Sequence, residues 1–370
     1  MLKSTLTSLI NSENIKMRNY LYLLIRILLL TLFNHNIQAS TPPIGKEITN
    51  TYVVDQQGNG DFISIQSAIN ATVNDKEVII FIRPGKYNEK LFITRNNISL
   101  IGTSAKNTII EYAELRSDWR DNHPSDWGAA VININASDVN IVNLSVINNY
   151  GRLHHTDEHQ FAIRGFKNGT RIILHQCSVV ADGADTLSLW NKSNGMYYHS
   201  YCHFEGHTDM VCPRGWALIE NSTFVNNKQS ATLWHDGELD PAQKLVVNNS
   251  YFDGVKGFWL GRHHYDAQFY IMNSQFSKNM ANKPIFKKRY DNVDRIKPNL
   301  YGERYFFFNN RSKSPTTWTA NNFNPTKNRL KDQSVESWVF EKQWYPNQVI
   351  AQLAKSIIAA NFKADKLTKN

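Results

Sequence analysis

Cysteine is nearly absent from this chain of 370 residues. The three present, Cys177, Cys202 and Cys212, fall in one stretch, and so small and odd a number does not build a disulfide scaffold. Charged residues make up 20% of the chain and aromatics 12%, which excludes a disordered polyelectrolyte and fits a globular protein. A long unbroken apolar run is also missing. YLYLLIRILLLTLF at residues 20–33 is interrupted by Arg26 and falls short of the roughly 20 apolar residues that a membrane span needs. Lys16 and Arg18 precede it and IQAS, containing Ala39, follows it. A basic flank, a short apolar segment and a small residue have the layout of a secretory signal peptide over residues 1–39. No cysteine stands at the cleavage point, so no lipid anchor is expected. After cleavage the chain is expected to be secreted, extracellular or periplasmic, with no stable membrane association. Losing Lys3, Lys16, Arg18, Arg26 and Glu13 takes the formal charge from +9 to +6. A basic balance suits an acidic polymer partner; no nucleic-acid partner is expected, and a monomer is.

What is present is a repeated phrase. QCSV occurs at 176–179, YCHF at 201–204, NSTF at 221–224, NSYF at 249–252 and NSQF at 273–276. Each has Cys or Ser in second place and Val or Phe two positions later. The small residues are spaced by 25, 20, 28 and 24. Between the phrases lie short β-branched and aromatic runs, such as RIILH and KLVVNN, punctuated by Asn, Gly and Asp. A period of 20–30 residues made of short strands indicates a solenoid, and the 3.6-residue pattern of helical repeats is absent. The fold class is therefore read as all-β, a right-handed single-stranded parallel β-helix. Cys or Ser then forms an inward ladder, with the Val or Phe two places on facing the same way. SIQSAINAT (64–72) reads as a helical N-terminal cap, and NQVIAQLAKSIIAANF (347–362) as a C-terminal amphipathic helix that covers the far end or lies along the side. The expected organisation is a signal peptide at 1–39, a parallel β-helix catalytic domain at 40–320, and a C-terminal loop and helix packed on it at 321–370.

This period places two carboxylates together. Asp185 in DGADTLSLW follows Cys177 by eight residues, and Asp209 follows Cys202 by seven. On stacked coils they occupy neighbouring rungs of one face. Two adjacent carboxylates cannot both ionise cheaply, so their pKa values separate: the one beside a cation stays charged and the other serves as the acid. Arg262 in FWLGRHHYD is the candidate cation, two repeats further on. Trp190, Trp216, Trp234 and Trp259 lie near these segments and are candidates for a sugar-stacking cleft.

These residues carry a family resemblance. VVDQQGNGDFISIQSAINA (53–71), RPGKYNEKLFI (83–93), ISLIGTS (98–104), ASDVNIVNLSVIN (136–148), DGADTL (182–187), EGHTDMVCPRGWA (205–217) and WLGR (259–262) resemble, in order and spacing, the motifs of pectinesterases, also called pectin methylesterases. The resemblance implies that Asp209 is the nucleophile, Arg262 its orienting cation, Asp185 the acid and then the base, and Gln160 an oxyanion donor, with no metal or other cofactor. The implied reaction removes methyl esters from pectin, a homogalacturonan. An ester or thioester hydrolase of a small substrate, or a non-catalytic polysaccharide-binding protein, is the alternative.

The chain departs from the family at three places. Ala184 stands where the family has a glutamine that serves as an oxyanion donor, so turnover of a simple methyl ester should be slow unless His207, Trp190 or Trp234 fills the gap. Met210-Val211-Cys212-Pro213 replaces a Phe-rich stretch. His263-His264 replaces Pro-Trp, which puts His264 among the substrate-binding candidates.

Overall fold

The computed structural model describes residues 50–72, 77–313, 316–327 and 330–367; residues 1–39, expected to be a signal peptide, lie outside the described residues. The described strands form three parallel sheets of ten, nine and eight strands. The first sheet runs from Asn50–Val54 to Arg304–Phe308, the second from Gly85–Asn88 to Arg311–Ser312, and the third from Leu91–Ile93 to Phe286–Lys287. The chain visits them in rotation. Ser137–Val142 lies in the first sheet, Ser145–Asn148 in the second and Phe161–Gly165 in the third, and Thr170–His175 returns to the first, paired with Ser137–Val142. This is the right-handed parallel β-helix expected from the repeat.

The corner between the first and second sheets explains the phrase. Asn143, Gln176, Tyr201, Asn221, Asn249, Asn273 and Asn309 each take a positive φ of 49–57° there. Asn tolerates this left-handed conformation better than other residues with a side chain, so the first letter of the phrase is usually Asn. The Asn249 side chain donates to Asn221 Oδ1 at 2.6 Å, and Asn309 donates to Asn273 Oδ1 at 2.9 Å. The second letter turns inward. The backbone N–H groups of Cys202, Ser222 and Ser250 each donate to the Ser Oγ one coil on, at 3.1, 3.1 and 3.2 Å. Where the ladder carries cysteine, Cys177 and Cys202 donate Sγ–H to the carbonyls of Ile141 and Leu174, and all three cysteines are free and buried. The fourth letter stacks: the rings of Phe204, Phe224, Phe252 and Phe276 follow one another at centroid distances of 5.4, 4.4 and 5.5 Å.

The first coil and one side are covered. Ser64 caps the helix Ile65–Ala71, and Glu89 accepts from the N–H groups of Ile65 and Gln66 at 2.9 Å each. Ile65, Ala68 and Ile69 close the first coil by joining the core. The helix Pro346–Leu367 lies along the side: Leu353 and Val349 pack on Ile79, Ile101 and Val142 of the first sheet. The segment before it sets Phe323, Val339, Phe340 and Trp344 over Ile173, Tyr198, Leu218, Val246 and Tyr270 of the same sheet. No described helix is long and apolar enough to cross a membrane. This apolar cover packs on residues of the first sheet and not of the third.

Tyr201 carries a left-handed corner on a residue poorly suited to it, and its side chain is 58% exposed. Tyr201→Asn should therefore stabilise the protein by about 1 kcal/mol, measured as a raised midpoint in denaturant. A lowered midpoint would show that the corner does not select its residue by conformation.

Candidate functional site

The third sheet sorts its side chains by alternation. In register, Ile163, Leu187, Val211, Leu233 and Gly261 share one line, of which the side chains fill the core. One residue on, Arg164, Ser188, Cys212, Trp234 and Arg262 face outward. Two residues before Leu187 and Val211 stand Asp185 and Asp209, at left-handed corners with φ of 63° and 53°. Asp185 N–H donates to Thr208 O at 3.0 Å and Asp209 N–H to Ala231 O at 2.7 Å, so each corner is fastened to the following coil. The carboxylates thus sit on adjacent rungs.

Arg262 reaches Asp209 from the strand Trp259–His263. Its Nε donates to Oδ1 and Oδ2 at 3.0 and 3.2 Å, and its Nη2 to Oδ2 at 2.7 Å. Asp209 is buried, 6% exposed. Burial pushes its carboxyl up to about 7; the hydrogen bonds and charge of Arg262 pull against that, and Asp185 adds to the rise. The sequence reading expected the cation alone to keep this residue low. Burial outweighs it, because the corner lies under the guanidinium with little water contact. Burial lowers Arg262 as well, but Asp209 reverses this and leaves it raised. Both Asp209 oxygens accept guanidinium N–H groups, the geometry of an anion. The Asp185 carboxylate is half-buried and accepts no hydrogen bond from the described residues.

Gln160 differs from its expected place. It is fully buried, and its amide holds the loop before it: Oε1 accepts from Gly151 N–H at 2.7 Å, and Nε2 donates to Thr156 O at 3.0 Å and Glu158 O at 3.4 Å. Both amide hydrogens are engaged, so in this conformation Gln160 offers no N–H to an oxyanion. The glycine of DGADTL belongs to the same packing, since a Cβ on Gly183 would lie 1.9 Å from Glu158 O and 2.7 Å from Gln160 Nε2. Two of the other donor candidates are also held. Trp190 Nε1 donates to Ser188 Oγ at 2.8 Å, and Trp234 Nε1 donates to Asp236 Oδ2 at 2.7 Å. His207 is half-buried, lowered first by burial, and its Nδ1 has no partner among the described residues.

Four of the five aromatic candidates belong to the third sheet or the turns leaving it. Trp190 is 42% exposed, with Arg214 at 3.8 Å and Arg164 at 5.0 Å from its ring. Trp234 lies 5.2 Å from the Arg262 guanidinium and 5.6 Å from the His264 ring. Trp259 lies under Lys283 at 3.7 Å. Trp216 is elsewhere: its strand, Trp216–Glu220, belongs to the first sheet, and its ring joins the apolar layer under the C-terminal segment. The turn Arg214–Gly215 carries the chain from one sheet to the other, so nearness to Asp209 in sequence does not put Trp216 on the same face.

Sequence reasoning missed Asp236, which is 1% exposed. It accepts from Trp234 Nε1 and from the N–H groups of His264 and Tyr265 at 2.8 Å each, and it pairs with Arg214 at 3.8 Å. Arg164 was missed too; it is buried, donates to Asp126 at 2.6 Å and to Ser188 Oγ at 3.3 Å. Period-two alternation from Trp234 to Asp236, and from Cys212 to Arg214, was the available signal.

Fold and site together describe a parallel β-helix with two carboxylates on adjacent rungs of one outer face, one of them held by an arginine. The pectinesterase family model matches residues 51–252, and the chain belongs to that family. Pectinesterase 4 of Arabidopsis thaliana is 28% identical over 213 residues, covering 55% of this chain; the chain spans about a third, 34%, of that relative's length. Pectin methylesterase PemA from Erwinia chrysanthemi superposes with a TM-score of 0.66 at 21% identity, over 82% of this chain and 99% of that one. A pectin methylesterase solved in complex with a hexasaccharide does so at 0.64 and 20%, with 82% and 99% covered. At these identities the structural likeness speaks to the fold.

Removing the guanidinium removes the hydrogen-bonded counter-charge that pulls against burial, so Arg262→Met should raise the Asp209 pKa above about 7. Asp185→Asn removes a like charge and should lower it. Carboxyl NMR titration, with Asp209→Asn identifying the resonance, reads both shifts; an unmoved titration in both variants would refute this account of the site.

Proposed function

We propose that the protein is an exported esterase that removes methyl esters from a galacturonan. The observation that carries this reading is the Arg262–Asp209 pair, with Asp185 one rung away. Membership of the pectinesterase family supports it, as does the sugar complex of a structural relative. Residues 1–39 are read as the export signal, because a wall polymer is met outside the cell.

In the proposed cycle Asp209 reacts as the carboxylate held by Arg262, and Asp185 is the group we assign to pass a proton to the leaving oxygen and to take one back from water. An Asp209 oxygen attacks the ester carbonyl carbon, forming a C–O bond and an oxyanion. Arg262 Nη1 donates no hydrogen bond to the described residues and is on the same guanidinium that holds the nucleophile. It is the donor we assign to the oxyanion in place of Gln160 and of the glutamine replaced by Ala184. Collapse breaks the bond to the methoxy oxygen, which takes the Asp185 proton and leaves as methanol. The acyl group is now an anhydride on Asp209. Water attacks it, Asp185 takes a proton from that water, and the Asp209–acyl bond breaks to give a galacturonate carboxyl group and the starting carboxylate. Trp190, Trp234, Trp259 and His264 are assigned to the sugar-binding face; Trp216 is not.

Asp209→Asn should abolish methanol release from methylated pectin while the thermal midpoint stays close to the parent's. Asp185→Asn should slow release by about 10²–10⁴. Methanol and free carboxylate, measured together, test this; near-normal release by Asp209→Asn would overturn the mechanism, and binding of pectin without any release by the parent would make the protein a non-catalytic binder.

A further inference from the structure

Arg262 is not the only guanidinium on this face. Arg214 follows Asp209 by five residues on the same coil and is 6% exposed. Its backbone N–H donates to Leu189 O at 3.0 Å, which sets it beside Trp190 of the coil before, and it lies in register with Asp236 of the coil after. The side chain folds back along its own strand. Nη1 donates to Cys212 O at 3.3 Å and to Cys212 Sγ at 2.9 Å. Cys212 belongs to the outward row that carries Arg164, Ser188, Trp234 and Arg262. The guanidinium thus lies over the middle of that row, on the coil of Asp209 and next to the coil of Asp185. The Trp190 ring covers it, with the centroid 3.8 Å away.

A buried cation needs a counter-charge, and the groups touching Arg214 do not supply a close one. Burial pushes the Cys212 thiol up to about 12, so near neutral pH it accepts as an uncharged sulfur. Asp236 stands off at 3.8 Å, with Oδ2 engaged by Trp234 Nε1 and Oδ1 by the N–H groups of His264 and Tyr265. Burial lowers His235 to about 4 and raises Tyr197, so these neighbours are neutral as well. Arg164, on the other side of Trp190, is matched by Asp126 at 2.6 Å. Arg214 Nε and Nη2 make no hydrogen bond to the described residues. The charge left over acts along the row. Asp209 is raised to about 7 first by burial; Arg262 pulls hardest against that, and Arg214 pulls the same way. Burial lowers Arg214 itself, but Cys212, Asp236 and Asp185 leave it raised, so it stays a cation throughout.

One arginine does not balance two carboxylates on adjacent rungs. We propose that Arg214 is a positioning residue for the reaction: the second fixed cation of the Asp185–Asp209 site, which together with Arg262 keeps the nucleophile ionised near neutral pH. It works through the aspartates and not on the ester. Trp190 and Cys212 then have a task of their own, which is to hold the guanidinium over the row. This rests on the esterase reading for its effect on turnover. The titration of Asp209 is a property of the free protein and is measured without substrate.

Carboxyl NMR titration of Asp209 is compared in the parent, Arg214→Met and Arg214→Lys, with a thermal midpoint to check that each variant folds. Arg214→Met should raise the Asp209 midpoint by about one pH unit. The acidic limb of the pH profile of kcat for methanol release should move up with it. Arg214→Lys keeps the charge without the planar fork and should return about half or more of that displacement. A purely structural arginine gives lowered thermal midpoints and an unmoved titration in both variants, and that result overturns the proposal. Equal displacement in both variants overturns it too, because packing and not charge is then the cause. If the parent releases no methanol, the esterase reading fails, and the titration still decides the role of Arg214. If Arg214→Met does not fold, the Arg214 Nε–H resonance of the parent, identified by its loss in Arg214→Lys, should shift at the Asp209 midpoint. No shift there overturns the proposal.

Discussion

A carboxylate that is 6% exposed is tolerable only if its counter-charge is brought to it and kept there. Here the two partners are 53 residues apart in sequence, and only the register of the parallel coils makes them neighbours. Each rung advances about 4.8 Å, so a shift of one rung would carry Arg262 out of reach of Asp209. The features that fix the register therefore fix the chemistry. They include the Ser Oγ ladder, the stacked phenylalanines and the left-handed Asn corners. A second carboxylate one rung away makes the site an electrostatic compromise: burial and Asp185 push Asp209 up, and Arg262 pulls it down.

Asp236 is the second anchor of this arrangement. It holds the indole of Trp234, the turn at His264-Tyr265 and, more loosely, Arg214. Trp234 in turn lies against Arg262. The arginine is thus held by Asp209 on one side and braced on another by a ring whose own orientation is fixed. Such support limits how far the guanidinium can drift when the charge on Asp209 changes during a reaction, because reorientation would require the buried Asp236 contacts to break.

The repeat was legible because five coils in succession carry a small residue in the second, inward place and an apolar one in the fourth, and that pattern is written locally. The same spacing placed Asp185, Asp209 and Arg262 on one face. The Asn corner was visible only as abundance, since nothing in one sequence tells a left-handed turn from a polar loop. Trp216 misled because a two-residue turn moves the chain between sheets that face opposite surroundings. Gln160 and its loop could not be read at all: which acceptors an amide finds depends on how residues 151–158 fold back over it. Arg214 was counted in the net charge, but its contacts with Trp190 and Asp236 on neighbouring coils are a property of the folded face. Long-range pairing of this kind leaves no trace in spacing.

The central claim is that the Asp209 carboxylate, held by Arg262, meets the ester. A crystal structure of the Asp185→Asn protein with methyl-esterified hexagalacturonate tests it directly, because the variant is expected to bind the chain and turn it over slowly. The account predicts one ester carbonyl carbon about 3–3.5 Å from an Asp209 oxygen, its carbonyl oxygen turned to Arg262, and the sugar chain lying along the outward face of the third sheet. A chain bound on that face with every ester turned away from Asp209, or one bound on another face, would contradict it.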